Sequence, residues 1–348
     1  MPRPARRLLG LDLDDGWKVV SEVIRGPEAT GGRFSAGYIV ERASGERGFL
    51  KALDYSRATL PGVDTPAELQ RLTTEYLFER DIVSACVGKS FSRVVRGIGY
   101  GKVTVAPGLD GQVEYLIFEL AAGDIRKQMS QARRVDAAWR LRVLHQVATG
   151  LFQLHTAQVA HQDLKPSNVL DFDSEGIKIG DLGRAAKLRE NSPHDGYQIA
   201  GARAYAPPEL LYGELSADWQ CRRIGCDLYH LGSLAVFLFA SANMTGLLLA
   251  ELSLAAHPSQ WRGTYRDVLP QVQKAFGQAL GKISVALPDG LREEVLTVVR
   301  QLCEPDPLLR GHPRDRRSIN NRYTCERYVG VFNRLASEAE LGKVLTTI

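Results

Sequence analysis

The chain has 348 residues, 44% of them hydrophobic, enough for a large core and longer than most single domains, so two lobes or one domain with extensions are the natural architectures. Its 44 basic and 40 acidic residues leave a formal net charge of +4, too balanced for nucleic-acid binding driven by bulk charge. The five cysteines are odd in number and scattered, which argues against a disulfide framework, and no His pair follows Cys221 and Cys226 at zinc-finger spacing.

Residues 1–16 read as a flexible N-terminal arm, basic at first but without the apolar stretch of a signal peptide. From residue 17 to 120 β signals dominate. Residues 19–24, 38–42 and 48–53 form strands separated by glycine-rich turns, and 94–105 and 113–120 form another pair joined by the turn 107–111. One long helix interrupts them, with Thr65 as cap, Pro66 at the first helical position and Glu68 three residues past the cap. Leu72, Tyr76, Glu79, Val83 and Cys86 share a stripe of that helix, and a carboxylate amid an apolar stripe is costly unless paired. Glu75 shares a stripe with Glu68 and Arg71 and reads as a solvated charge. After about Gly123 the pattern becomes helical: residues 136–156 repeat apolar positions at helical spacing, and 228–240 are apolar nearly all round, as in a buried central helix. The longest apolar run, 231–240, is too short to span a bilayer, so a soluble, cytoplasmic protein is expected. Residues 242–288 carry no functional motif, and 322–340 form a closing helix. A strand-rich front and a helical back place a ligand cleft between them.

The most informative stretch is His161-Gln162-Asp163-Leu164-Lys165-Pro166-Ser167-Asn168-Val169-Leu170. A hairpin follows, with strands at 169–172 and 177–180 around the turn 173–176. A hairpin brings its ends together, so Asn168 and Asp181 should lie side by side. An amide oxygen and a carboxylate there make a hard-oxygen site suited to Mg²⁺, with Mn²⁺ as an alternative ion. Asp163, five residues before Asn168, can face a hydroxyl near a metal-bound phosphate, and Lys165 can neutralise charge on the transferring group.

Residues 161–168 resemble the catalytic loop of eukaryotic-type Ser/Thr protein kinases, and Asp181-Leu182-Gly183 resembles their metal-binding Asp-Phe-Gly motif. Lys165 is typical of the Ser/Thr branch. Ala206-Pro207-Pro208-Glu209 resembles the family's Ala-Pro-Glu segment end, and Arg310 matches the Arg that pairs with that Glu. Asp227 opens the buried helix where kinases place an Asp that holds the catalytic-loop backbone. Phe49-Leu50-Lys51 resembles the strand bearing the phosphate-pairing Lys, and Glu79 is then the partner chosen for Lys51. Residues 30–38 align with the phosphate-covering loop: Gly31 and Gly32 remain, while Thr30, Ser35 and Gly37 depart from its pattern. Residues 115–121 resemble the interlobe hinge, with Phe118 as gatekeeper and the backbone of Glu119 and Ala121 facing adenine. Asp124 either reaches a ribose hydroxyl or caps the helix after it.

The resemblance implies an α+β, bilobal protein-kinase-like fold: a small antiparallel β-sheet lobe over 17–120, a larger mainly helical lobe over 121–318, and a C-terminal helical extension over 319–348. It implies transfer of the ATP γ-phosphoryl group to a Ser or Thr hydroxyl of a protein substrate, autophosphorylation included. Two departures bear on regulation. Gln162 replaces an Arg that in many kinases receives a phosphate on the segment 181–209, which favours control by a partner or constitutive activity. Ala202 replaces a Thr that often bridges the catalytic Asp and Lys. Ser192, Tyr197 and Tyr205 are candidate phosphosites in that segment, and His194 reads as an exposed polar residue. A pseudokinase or nucleotide-binding scaffold on the same fold is the alternative. A small-molecule kinase is a third, opposed by Glu209 and Arg310.

Overall fold

The protein, represented by a computed structural model, is described over residues 3–24, 35–58, 60, 62–107, 111–131, 136–318 and 321–342. Gly31, Gly32 and most of the turn 107–111 lie outside the described residues. Five antiparallel strands, β1 (Trp17–Glu22), β2 (Ser35–Arg42), β3 (Arg47–Leu53), β4 (Gly97–Thr104) and β5 (Gln112–Glu119), form one sheet in the order β1-β2-β3-β5-β4. Side chains alternate across a strand, and the two faces of this sheet serve different ends. Leu50, Ala52, Val113, Tyr115 and Ile117 enter an outer core with Trp17, Tyr38 and Val40. Leu116 and Phe118, with Phe49 and Leu53 packed alongside, instead join the core that runs through helix α1 (Thr65–Gly88) into the helical lobe. Lys51 lies on that inner face, between Phe49 and Leu53.

The N-terminal segment corrects the sequence-based expectation. Residues 3–16 are not a flexible arm; they close the outer core. Ala5 and Leu8 are fully buried, worth roughly 1.5–3 kcal/mol for a side chain of leucine size. The Tyr38 hydroxyl donates to Ala5 O at 2.8 Å, and Gly10 N–H donates to Val19 O while Val19 N–H donates to Leu11 O. This second set of backbone bonds accompanies the bulge between Val19 and Ser21 in β1.

Other boundaries move by a few residues. The strand expected from Val94 begins at Gly97; Val94 itself makes an isolated parallel bridge to Ile179 in the helical lobe. Helix α1 is capped by Asp64, whose carboxylate accepts from Ala67 N at 3.3 Å, rather than by Thr65, whose hydroxyl turns back to Ala58 O at 2.6 Å.

In the larger lobe, β6 (Gly123–Asp124) leads into α2 (Ile125–Gln131) and then α3 (Ala137–Thr156). The short strands β7 (Val159–Ala160), β8 (Val169–Asp171), β9 (Ile177–Ile179) and β10 (Ala186–Lys187) follow. The β8–β9 hairpin pairs Val169 with Ile179, and its turn is closed by Gly176 at φ +81°, a left-handed conformation that glycine adopts without strain. Helices α4 (Pro208–Leu211), α5 (Gly225–Ala240), α6 (Met244–Glu251), α7 (Tyr265–Ala286), α8 (Arg292–Leu302) and α9 (Glu326–Glu340) complete the described elements. Residues 242–288 contribute α6 and the amphipathic α7, which opens on a Thr264–Asp267 capping box. The segment set apart as a C-terminal extension belongs to the main core: α9 lies along α3, and its Phe332, Leu335 and Ala336 are fully buried. Among the described residues no single helix is long and apolar enough to cross a membrane, and the one pair that would be when taken together, residues 220–240 with α6, is bent by 86°.

Candidate active site

The floor of the cleft is the loop between β7 and β8, held by α5. Asp227, in the first turn of α5, is fully buried and spends both carboxylate oxygens on that loop. Its Oδ2 accepts from His161 N at 2.7 Å and His155 Nε2 at 2.9 Å, and its Oδ1 accepts from Gln162 N at 2.8 Å and Gln162 Nε2 at 3.2 Å. Burial alone would raise its pKa, but the hydrogen bond and charge of His155 outweigh it and keep the carboxyl below its ordinary value. These bonds hold Gln162 at φ +66°, a conformation that costs a non-glycine residue about 1–2 kcal/mol. His161 is the strut on the other side: its Nδ1 accepts from Asp163 N at 3.2 Å, which leaves Nε2 as the donor to Gly180 O at 3.0 Å.

Asp163 is presented on this loop with defined partners. Lys165 Nζ donates to its Oδ2 at 2.6 Å. Asn168 Nδ2 donates to its carbonyl at 2.8 Å. Ala202 N–H donates to its Oδ1 at 2.7 Å. The last bond compensates in part for the missing hydroxyl at position 202, since the backbone of the same residue reaches the carboxylate. It requires a close crossing: a Cβ on Gly201 would lie 2.3 Å from Gln162 O. The Asn168 side-chain oxygen accepts from Ser167 Oγ at 3.4 Å, and Gly180 N–H donates to Asn168 O at 2.9 Å, which brings Asp181 beside Asn168 at the hairpin's mouth.

The roof is assembled from three distant elements. Lys51 Nζ lies 2.8 and 2.9 Å from the two oxygens of Glu79 on α1 and 2.9 Å from Asp181 Oδ1. Asp181 and Glu79 together outweigh burial and raise Lys51 above its ordinary pKa, while Lys51 first of all holds Asp181 well below the carboxylate range. Asp181 thus keeps its charge at any ordinary pH, with its side chain 44% exposed toward the cleft. The donor set fits a divalent cation that retains water and takes phosphate oxygens: one carboxylate and one amide oxygen, both hard. Among the described residues no group of three or more His, Cys, Asp or Glu side chains could hold a metal without such help. The five cysteines are free and buried.

At the hinge, Phe118 is buried. Glu119 N–H donates to Arg96 O at 3.1 Å and so is already occupied. Its side chain accepts from Arg96 N at 2.8 Å and pairs with Lys178 Nζ at 2.9 Å. Lys178 follows Ile177 on β9, so this nearly buried pair ties the hinge to the hairpin that carries Asp181. Asp124 takes the capping role: its carboxylate accepts from Arg126 N at 2.9 Å and pairs with the Arg126 guanidinium at 2.8 Å. In the helical lobe Arg310, fully buried, forks onto Glu209 with two bonds of 2.7 Å.

The segment after Asp181 departs furthest from expectation. His194 is not exposed; its side chain is 1% accessible. Arg184 Nη1 sits 2.9 Å from His194 Nδ1, and Nε2 faces Gly183 O at 2.8 Å, a pattern satisfied by the neutral ring. Burial and then Arg184 push its pKa down to about 4. Glu75 is not a solvated charge: it pairs with Arg71 and lies 3.8 Å from Arg184 and 3.7 Å from His194. Ser192 is buried, its hydroxyl donating to Ala185 O, so this arrangement closes it to modification, whereas Tyr197 is 40% exposed. Where Gln162 stands, Arg223 bridges: it donates to Gln162 Oε1 at 3.2 Å and to Asp195 Oδ1 at 2.6 Å. Sequence inspection overlooked His155, Lys178, Arg184 and Arg223. Only Glu75 carried a local signal, its i,i+4 spacing from Arg71.

A two-lobed α+β fold with this cleft between its lobes is that of the protein kinases. A family description of the protein kinase domain matches residues 109–315, and the chain belongs to that family. It is 29% identical over 224 residues to the hormonally up-regulated neu tumor-associated kinase of Mus musculus, covering 62% of this chain and 27% of that protein. CBL-interacting protein kinase 26 of Oryza sativa subsp. japonica is 36% identical over 115 residues, 31% of this chain and 23% of that protein. An Aurora kinase of Debaryomyces hansenii is 29% identical over 139 residues, 38% of this chain and 34% of that protein. The matched stretches span about a quarter to a third of these relatives.

Proposed function

We propose that the chain transfers the γ-phosphoryl group of ATP, with Mg²⁺, to a Ser or Thr hydroxyl of a protein, its own included. The observation that carries this is Asp163, held from both sides by Lys165 and the Ala202 amide on a loop whose backbone Asp227 fixes. Asp163 orients the acceptor hydroxyl and takes its proton. Lys165 adds positive charge beside the transferring group, and Lys51, steadied by Glu79, holds the nucleotide phosphates. Asn168 and Asp181 are the residues that would hold the metal ion, which when bound supplies positive charge to the phosphate oxygens. What these residues contribute is positioning and electrostatics, which is most of what phosphoryl transfer requires of a protein.

The second reading, a nucleotide-binding scaffold with weak or no catalysis, draws on Ala202, which brings no hydroxyl to the Asp163–Lys165 pair. Incubation with Mg·ATP and mass detection of transferred phosphate separates the two. Transfer by the wild type that collapses in Asp163→Asn supports the kinase. Equal silence of both proteins over several substrates and metals supports the scaffold. Sites mapped to Ser or Thr, rather than to a small-molecule hydroxyl, support the protein-directed reaction.

A further inference from the structure

Beside Asp163 the surface opens into a shallow basin of about 430 Å³, lined by Gly196, Tyr197, Gln198, Ile199, Gly201 and Arg203. It adjoins the reacting group directly. Ala202, which lies between Gly201 and Arg203, donates its N–H to Asp163 Oδ1 at 2.7 Å, and a Cβ on Gly201 would come within 2.7 Å of the same oxygen. Arg203 is the one charged residue among those lining the basin, and it is exposed. Among the described residues no carboxylate pairs with it. Asp195, in the same segment, is already engaged by Arg223 at 2.6 Å. Arg222 donates to the carbonyls of Asp195 and Tyr197 from behind the basin. Arg223 thus takes the Asp195 carboxylate and Arg222 the main-chain carbonyls, while Arg203 adds a positive charge at the mouth. On the hinge side Asp124 is neutralised by Arg126. Asp163 at its inner edge is paired with Lys165, which leaves Arg203 as the charge that the basin's lining presents.

We propose that Arg203 is a specificity-determining residue that selects protein acceptors carrying an anionic side chain, carboxylate or phosphate, beside the Ser or Thr presented to Asp163. This rests on the kinase reading and deepens it. Arg offers a planar fork of donors that suits either anion. Because Arg203 is exposed, the pair it forms is modest in strength and screened by salt, so it shows as a preference among substrates.

The test is a peptide series with one Ser acceptor and Asp, Glu, phosphoserine, Ala or Lys scanned over the flanking positions, read as kcat/KM. The wild type should favour the acidic peptides over Ala at one flanking position by about two- to fivefold, the scale of an exposed ion pair, with the preference shrinking as salt rises. Arg203→Ala should bring that ratio to about one, and Arg203→Glu should turn it in favour of Lys. Whether Glu or phosphoserine gains more identifies which anion the site takes. Equal rates on acidic and neutral peptides by the wild type, or an unchanged acidic preference in Arg203→Glu, overturns the inference while leaving the kinase reading intact. No transfer by the wild type to any peptide or to itself overturns the kinase reading, and this inference with it.

Discussion

The floor and the roof of the cleft reach their geometry by different routes. On the floor, Asp163 meets Lys165 two positions away and Asn168 five positions away, and a single buried carboxylate, Asp227, fixes the loop backbone. On the roof, Lys51 meets Glu79 across 28 positions and Asp181 across 130, and both contacts depend on how α1 and the hairpin dock. The floor is therefore set by local chain geometry plus two distant anchors, Asp227 and the Ala202 amide, and the roof by the packing of separate elements. Elements that depend on distant packing open more readily than contiguous, buried loops. Disturbance of the sheet or of the segment under α1 should reach the roof first.

The largest expected effect lies on the floor. Asp163→Asn keeps the shape of the loop but removes a proton acceptor, and kcat for phosphoryl transfer should fall by about 10²–10⁴-fold. A loss below tenfold in a single-turnover assay would remove Asp163 from the chemistry. Next comes the buried Arg310–Glu209 fork. Arg310→Met strands a carboxylate in the core, and unfolding in urea should report roughly 3–5 kcal/mol of lost stability. The double variant Arg310→Met with Glu209→Gln should recover much of it, because no unpaired charge is left inside.

The N-terminal segment sharpens the contrast between the two halves. Removing residues 1–9 uncovers the outer core at Ala5 and Leu8. The cost should be about 2–4 kcal/mol, and hydrogen exchange should rise in β1–β3 while the β8–β9 hairpin stays protected. Equal loosening of both would show that floor and roof unfold as one unit, against the distinction drawn here.

The last expected effect is in pH. His194 and His230 have an ordinary value of 6.5 and are pushed down to about 4, by burial before anything else. The unfolded chain takes up these protons first, so the stability tied to the neutral rings is fully present above about pH 6.5 and is lost as pH falls toward 4. The melting temperature should decline over that window. His194→Gln, which can still accept from Arg184 and donate to Gly183 O, should flatten part of the slope. An unchanged slope in that variant would mean His194 is already charged in the folded protein.

Much of the floor was legible from the amino-acid order. The hairpin's turn residues and the contiguous run 161–170 suffice to bring Asn168 and Asp181 together, because short chain separations leave few geometries. Glu79 was legible for a related reason: a carboxylate inside an apolar helical stripe needs a cation. Less was legible where an element's environment is supplied by another part of the chain. The N-terminal segment reads as an arm because its apolar residues alternate with arginines at no regular period, yet Leu8 finds a face of the sheet to fill. Thr65 has the chemistry of a helix cap, but Asp64 competes for the same role and wins, while the Thr65 hydroxyl finds Ala58 O.

Sequence alone thus determined a strand-rich front, a helical back and the residues that converge at the hairpin's mouth, since periodicity and close spacing encode these, while the kinase fold was implied by the resemblance of its motifs. Tertiary structure alone decided the state of Glu75 and His194. Both read as solvated by composition, and both become partners of Arg184, His194 buried and Glu75 largely covered, because the segment beyond Asp181 folds back beneath α1. Solvation is a property of what covers a side chain, and the cover here comes from more than a hundred residues away.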